Sequence, residues 1–222
     1  MSSTPEFSLI VFDWDGTLTD SSAGIVATLQ AAASAVGLPP GDALAIRATI
    51  GSGMLAAVNQ VYPNIHAGAA QQLIAKFRQM SARVDAPVPD AFPRVAATLT
   101  ALQDAGAMLA VATGKSRVGL DRDLRDLGLA KHFVATRTAD ETRAKPNPQM
   151  LEQLLRVTGV MPADALMVGD TTFDLEMATH AGMRAVGATY GVHSRAALQA
   201  QQPWAFIDAI DELVALLGAS TA

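Results

Sequence analysis

The 222-residue chain contains no cysteine. Disulfides and cysteine-ligated zinc are therefore excluded. Aromatic residues make up only 5% of the chain although half of it is apolar, so the apolar content is mostly Ala, Leu, Val and Met. That composition suits helices packed on a sheet better than an all-β sandwich. Charged residues are sparse at 17%, the net charge is −5, and no basic block stands out. A nucleic-acid partner is therefore not expected. No apolar run reaches membrane-spanning length, and "MSSTPEFS" at the start has neither a basic nor an apolar leader region. The reading is a soluble, cytoplasmic protein with no membrane partner. Its length fits one large domain or a core with a smaller satellite.

Glycine recurs with a rule. Leu99, Leu102 and Ala105 precede Gly106, and "MLAVA" follows. Similar helical spacings lead to Gly128, Gly159 and Gly182, each followed by an apolar residue. A glycine there suits the left-handed position that closes a helix. Helices that end this way and feed strand-like runs predict alternating β and α elements, hence a parallel, Rossmann-like α/β sheet with helices on both faces. Strands are expected near 8–13, 108–112, 132–136, 165–169, 185–188 and 204–207.

One interval breaks the alternation. The first strand ends near Asp13 and the second begins near Met108, yet residues 93–106 already supply the crossover helix. The surplus predicts an inserted helical cap domain at 18–88, with the core formed by 1–17 and 89–222. Ser21 or Ser22 can cap its first helix, which carries Ile25, Leu29, Ala32 and Val36. Leu73, Phe77, Met80 and Val84 mark a second stripe. The return path "APVPDAFP" holds three prolines, which suits a stiff linker.

Ligands of an open parallel sheet bind beyond the carboxyl ends of its strands. Those ends carry Asp13-Trp14-Asp15-Gly16-Thr17, then Thr113-Gly114-Lys115, then Gly169-Asp170 with Asp174 one turn on. Lys145 precedes Pro146 and is kept in an extended loop facing the same crevice. Two carboxylates repel by about 4 kcal/mol at about 4 Å and an effective dielectric of about 20. Asp13, Asp15 and Asp170 converging would multiply that penalty, and a divalent cation removes it. The cluster offers only oxygen, which favours Mg²⁺ over zinc. Thr113 and Gly114 lie just before a helix expected near Arg117, whose free N–H groups would seat phosphate oxygens. With Lys145 added, this set suits phosphoryl transfer.

The ordered motifs resemble the haloacid dehalogenase superfamily. "DWDGT" is similar to its DxDxT signature, "VATGK" to its second motif centred on Thr113, Lys145 in "KPNP" to its third, and "GDTTFD" to its fourth. The helical insertion resembles the cap of the phosphoglycolate-phosphatase-like branch. The resemblance implies that Asp13 is a nucleophile forming an aspartyl-phosphate. It implies that Asp15 is the general acid/base, lending its backbone carbonyl to Mg²⁺. Thr113 and Lys145 would hold the phosphate, Asp170 would ligate the metal with Asp13, and Asp174 would orient Lys145 or act through water. A small phosphorylated metabolite is the implied substrate. Asp15 argues against dehalogenation, because dehalogenases lack it.

A phosphomutase of the same family is the alternative enzyme. A receiver-type phosphoacceptor domain is the non-enzyme alternative, but its acceptor aspartate belongs at strand three, where "HFVATR" has none. A degenerate binding protein would have lost a motif position, and none is lost. Several residues carry plainer readings. Trp14 is expected in packing, Asp20 in the linker, and Lys115 either solvated at a helix start or touching substrate. "IGSGM" (50–54) reads as a break between helices rather than a specificity loop. Arg47 reads as solvated, and a substrate contact by Arg47 or Ser52 stays open. The four histidines have no ligand-like partners.

Overall fold

The structure, a computed structural model, describes residues 6–82 and 88–218. The sequence-predicted stripe position Val84, and Ala86 and Pro87 of the return path, lie outside the described residues. Six parallel strands form one sheet: β1 (Leu9–Phe12), β2 (Met108–Ala112), β3 (Ala135–Arg137), β4 (Ala165–Gly169), β5 (Arg184–Ala188) and β6 (Ala205–Ile207). Their order is β3-β2-β1-β4-β5-β6. The chain therefore reverses its direction of travel across the sheet between β1 and β4, which makes the carboxyl ends of these neighbours a crevice. Phe12 registers with Val111 on one side and Val168 on the other.

Alternation along the strands splits the core into two layers. Ile10, Phe12, Leu109, Val111, Leu166 and Val168 face α5 (Val95–Asp104), α6 (Arg117–Asp126) and α10 (Glu212–Leu216). Leu9, Val11, Ala110, Ala112, Ala165 and Met167 face α7 (Gln149–Thr158), α8 (Thr172–His180) and α9 (Arg195–Gln199). Strands apolar on both sides are the mark of a doubly covered parallel sheet. Gly106, Gly128, Gly159 and Gly182 all have positive φ, so the recurrent glycine rule reports real helix ends. Strand three departs from expectation. It starts at Ala135, because Ala130–His132 winds into a 3-10 turn that takes the first residue of the expected run, and Phe133 and Val134 lead from it into the strand.

Between β1 and β2 lie α1 (Ser22–Ala35), α2 (Ala43–Arg47), α3 (Met54–Val61) and α4 (Ala67–Ser81). They pack around a cluster of their own, built on Leu29, Ala32, Ala33, Ile46, Val58, Ala70 and Leu73. The two chain segments that join them to the sheet run side by side. Asp20 N–H donates to Asp90 O at 2.9 Å and Phe92 N–H donates to Leu18 O at 3.0 Å, which places Asp20 in the linker as expected. Ser21 occupies the N-cap position of α1, but its side chain makes no capping bond and its buried hydroxyl has no partner among the described residues. Its backbone lies in the helical region rather than the extended one that aims a cap side chain at the first N–H groups. Among the described residues no helix is long and apolar enough to cross a membrane.

Leu109 is fully buried in the centre of the sheet. Leu109→Ala should lower unfolding free energy by about 2–5 kcal/mol, read from denaturant titration.

Candidate active site

The crivice between β1 and β4 begins with backbone pairing. Asp13 N–H donates to Val168 O at 2.9 Å, extending the ladder by one residue beyond β1. This brings the Asp13 side chain beside Asp170, which follows β4. Asp13, Asp170 and Asp174 are all buried, and one oxygen from each lies within 4.8 Å of the others. Lys145 sits among them, with Nζ 2.8 Å from Asp13 Oδ1 and 2.6 Å from Asp174 Oδ1. The expected extended loop before α7 therefore delivers a buried ammonium to the strand ends.

Each carboxylate is fixed differently. Asp13 Oδ1 also accepts from the Trp14 N–H at 2.7 Å, while Oδ2 has no partner among the described residues. Asp174 Oδ2 accepts from the backbone N–H and the hydroxyl of Thr171, forming a capping box at the start of α8. Asp174 is thus at once a first-turn acid of α8 and a partner of Lys145. Asp170 Oδ1 accepts from the Thr17 hydroxyl at 2.7 Å, and Oδ2 accepts from Val192 N–H at 2.8 Å. Gly16, at φ +92°, and Gly191 flank Asp170 so closely that a Cβ on either would collide with its side chain. The glycine of "DWDGT" is therefore a steric requirement of the Asp170 carboxylate.

Burial and crowding set the charges. Burial, then the neighbouring charge of Asp174, hold the Asp13 carboxyl well above its usual range against the pull of Lys145. The same two causes push Asp170 up to about 7, although bonds from Thr17 and Val192 oppose them. Burial alone would lower Lys145, but Asp13 and Asp174 outweigh it and hold its ammonium above the usual lysine range. Three carboxylates against one ammonium leave an excess of negative charge, and a cation is the group that resolves it. The donors are all oxygen.

The Asp15 carboxylate is not part of this cluster. It turns to Lys115, whose Nζ lies 2.9 Å from Asp15 Oδ1 and 3.1 Å from the buried Asp123 Oδ2. The solvated reading of Lys115 is thereby corrected: its ammonium is largely buried and paired with two carboxylates. Trp14 does pack in the core as expected, and its Nε1–H also donates to Asp123 Oδ2 at 3.3 Å. Thr113 is buried at the end of β2, and its hydroxyl accepts from Lys115 N–H at 3.2 Å. The helix-end expectation beside it needs correction. Arg117 N–H is taken by the Asp140 carboxylate and Gly119 N–H by the Ser116 hydroxyl. A free donor at this strand end is the exposed Gly114 N–H, which has no acceptor among the described residues.

The inserted helices lean on the crevice. The segment 48–53 is the expected break, lying between α2 and α3, but it also reaches the core. A Cβ on Gly51, at φ +92°, would crowd Thr171, and one on Gly53 would crowd Ala144. Ser52 bonds back to Thr49 O at 2.7 Å. Arg47 is not merely solvated: Nη2 donates to Gly191 O at 3.2 Å. His193 Nδ1 accepts from Thr172 N–H, which places its proton on Nε2, 3.2 Å from Ala48 O. The histidine thus tethers the insertion to the core as a hydrogen-bonding group rather than a ligand. Sequence reasoning missed Asp123, Thr17 and His193. Asp123 left a signal, since it falls on the apolar stripe Leu120, Leu124, Leu127.

A family model described as haloacid dehalogenase-like hydrolase matches residues 10–188. The chain belongs to that family. It is 37% identical over 216 residues to "Probable phosphatase IndB" of Dickeya dadantii, covering 93% of this chain and 91% of the relative. It is 30% identical to a phosphoglycolate phosphatase of Vibrio vulnificus, covering 94% and 95%. Among solved structures it resembles a predicted phosphoglycolate phosphatase from Haemophilus somnus, with a TM-score of 0.83, 26% identity, and coverage of 95% and 98%. The parallel sheet is the one expected of such a hydrolase.

The raised Asp170 carboxyl has a measurable consequence. In metal-free protein the folded state keeps a proton up to about pH 7 that the unfolded chain releases near pH ~4. The folded state then binds more protons across this window, so its stability falls as pH rises through it. A cation must displace that proton. The thermal midpoint in chelator should fall from about pH 5 to about pH 8, and an added divalent cation should restore more at the higher pH.

Proposed function

We propose that the protein is a Mg²⁺-dependent phosphatase that hydrolyses a small phosphorylated metabolite through an aspartyl-phosphate on Asp13. The observation that carries this reading is the Asp13 carboxylate itself. One oxygen is pinned by Lys145 and the Trp14 N–H, and the other is unpartnered at the mouth of a parallel sheet. An oriented carboxylate with one free oxygen is suited to attack phosphorus.

In the first half-reaction Asp13 Oδ2 forms a bond to phosphorus. The bond from phosphorus to the ester oxygen breaks, and its electron pair leaves with that oxygen, which takes a proton from Asp15. In the second, Asp15 takes a proton from water as the water oxygen bonds to phosphorus, and the electron pair of the breaking bond returns to Asp13. Atoms and charge balance to an alcohol and inorganic phosphate. Lys145, Thr113 and the Gly114 N–H supply donors for the phosphoryl oxygens. Mg²⁺ would be held by Asp13, Asp170 and the Asp15 backbone carbonyl, and would supply charge neutralisation for the transferring group. Asp174 acts by holding Lys145 in place. Residues 18–88 serve as the cap, and the segment 48–53 is its part nearest the crevice.

The relatives' names make phosphoglycolate the first substrate to test, followed by sugar phosphates and nucleotides. Phosphate release from this panel separates a phosphatase from the phosphomutase alternative, since a mutase releases little. A receiver-type domain does not fit the family to which the chain belongs.

Asp13→Asn should lower kcat by at least roughly a thousandfold with a folded protein retained, and wild-type turnover by this variant would overturn the nucleophile assignment. Chelation should silence phosphate release, and Mg²⁺ should restore it. Lys145→Ala should raise KM and lower kcat. It should also reduce stability by about 3–5 kcal/mol, because removing one partner leaves buried carboxylates uncompensated.

A further inference from the structure

The mechanism leaves one buried ionic group unused. Lys115 and Asp123 lie beside the crevice, and Asp123 has no exposed surface. Asp123 Oδ1 takes Arg122 Nη2 at 3.1 Å, and Oδ2 takes Lys115 Nζ at 3.1 Å and Trp14 Nε1 at 3.3 Å. Arg122 Nη1 in turn donates to Ser81 O, at the end of α4, at 3.3 Å. The carboxylate is therefore fixed from three directions inside an otherwise apolar layer formed by Leu120, Leu124 and Trp14. A buried ion pair of this kind adds little net stability compared with apolar packing of the same volume. Its link to the crevice is Lys115 Nζ to Asp15 Oδ1, at 2.9 Å. Asp15 has no other side-chain bond among the described residues.

We propose that Lys115, fixed in turn by Asp123, is the positioning residue of the acid/base. It anchors Oδ1 of Asp15 and so holds Oδ2 in place for proton exchange with the ester oxygen and then with water. Burial would lower the pKa of Lys115, but Asp15 and Asp123 outweigh burial and hold it above the usual range. The inference rests on the reading of Asp15 as acid/base. It assigns the lysine of "VATGK" a part distinct from Thr113 and Lys145, which address the phosphoryl group.

The test uses leaving-group dependence, because an ester with a poor leaving group needs a placed proton and one with a good leaving group does not. Phenyl phosphate and p-nitrophenyl phosphate are the two probes, and kcat/KM reports the phosphorylation step. Lys115→Met should lose roughly ten- to a hundredfold in kcat/KM on phenyl phosphate and much less on p-nitrophenyl phosphate. Lys115→Arg should recover most of the loss. Equal losses on both esters, or no loss, would overturn the proposal, since a purely structural role affects both alike. If Lys115→Met fails to fold, the near-isosteric Asp123→Asn carries the same comparison and should show the same ester preference. Asp15→Asn is measured in parallel. Wild-type turnover by that variant would remove the acid/base reading itself, whereas a crippled Asp15→Asn beside an unaffected Lys115→Met would remove only this inference.

Discussion

A buried ammonium holds the site together. Lys145 Nζ stands between Asp13 and Asp174, with all three side chains almost completely withdrawn from solvent. Without it, three carboxylates would face one another in a medium where each pair repels by about 4 kcal/mol at close range. The fold is arranged to make this contact. β1 and β4 are neighbours, so Asp13 and Asp170 leave adjacent strand ends. The capping box of α8 aims Asp174 back at the same point. The loop before α7 brings the lysine in.

A second ammonium repeats the device nearby. Lys115 bridges Asp15 and Asp123 as Lys145 bridges Asp13 and Asp174. Two aspartates separated by one residue therefore sit in separate electrostatic environments. Asp13 faces a crowded, carboxylate-rich cluster, and Asp15 faces a balanced pair. Such separation is what lets neighbouring carboxylates take different parts in one reaction. The insertion meets the core beside the first environment through Arg47, Gly51 and the contact of Ala48 with His193, and the stem that carries it includes a pair of backbone hydrogen bonds.

The sheet was legible because its signals are local and repeated. Leu99, Leu102 and Gly106 announce a helix, its end and a strand within eleven residues, and the same sentence recurs at Gly128, Gly159 and Gly182. The site was legible because motifs at strand ends must converge once the strands pair in parallel. What escaped the sequence are partners set by rotamer and by helix rotation. Lys115 and Asp123 are eight residues apart, and nothing local says that both turn inward. Of the N–H groups expected to be free at the start of α6, that of Arg117 is likewise taken by Asp140, a residue remote in sequence. Ser21 occupies the position of a cap without its backbone geometry.

In the proposed reaction the free oxygen of Asp13 becomes covalently bonded to phosphorus. Rapid acid quench of the Mg²⁺-loaded enzyme during turnover, followed by peptide mass spectrometry, tests it most directly. One phosphoryl group is expected on the peptide containing Asp13 and none on the same peptide from Asp13→Asn. A phosphoryl group on another residue, or turnover with no phosphorylated peptide under single-turnover conditions, would contradict it.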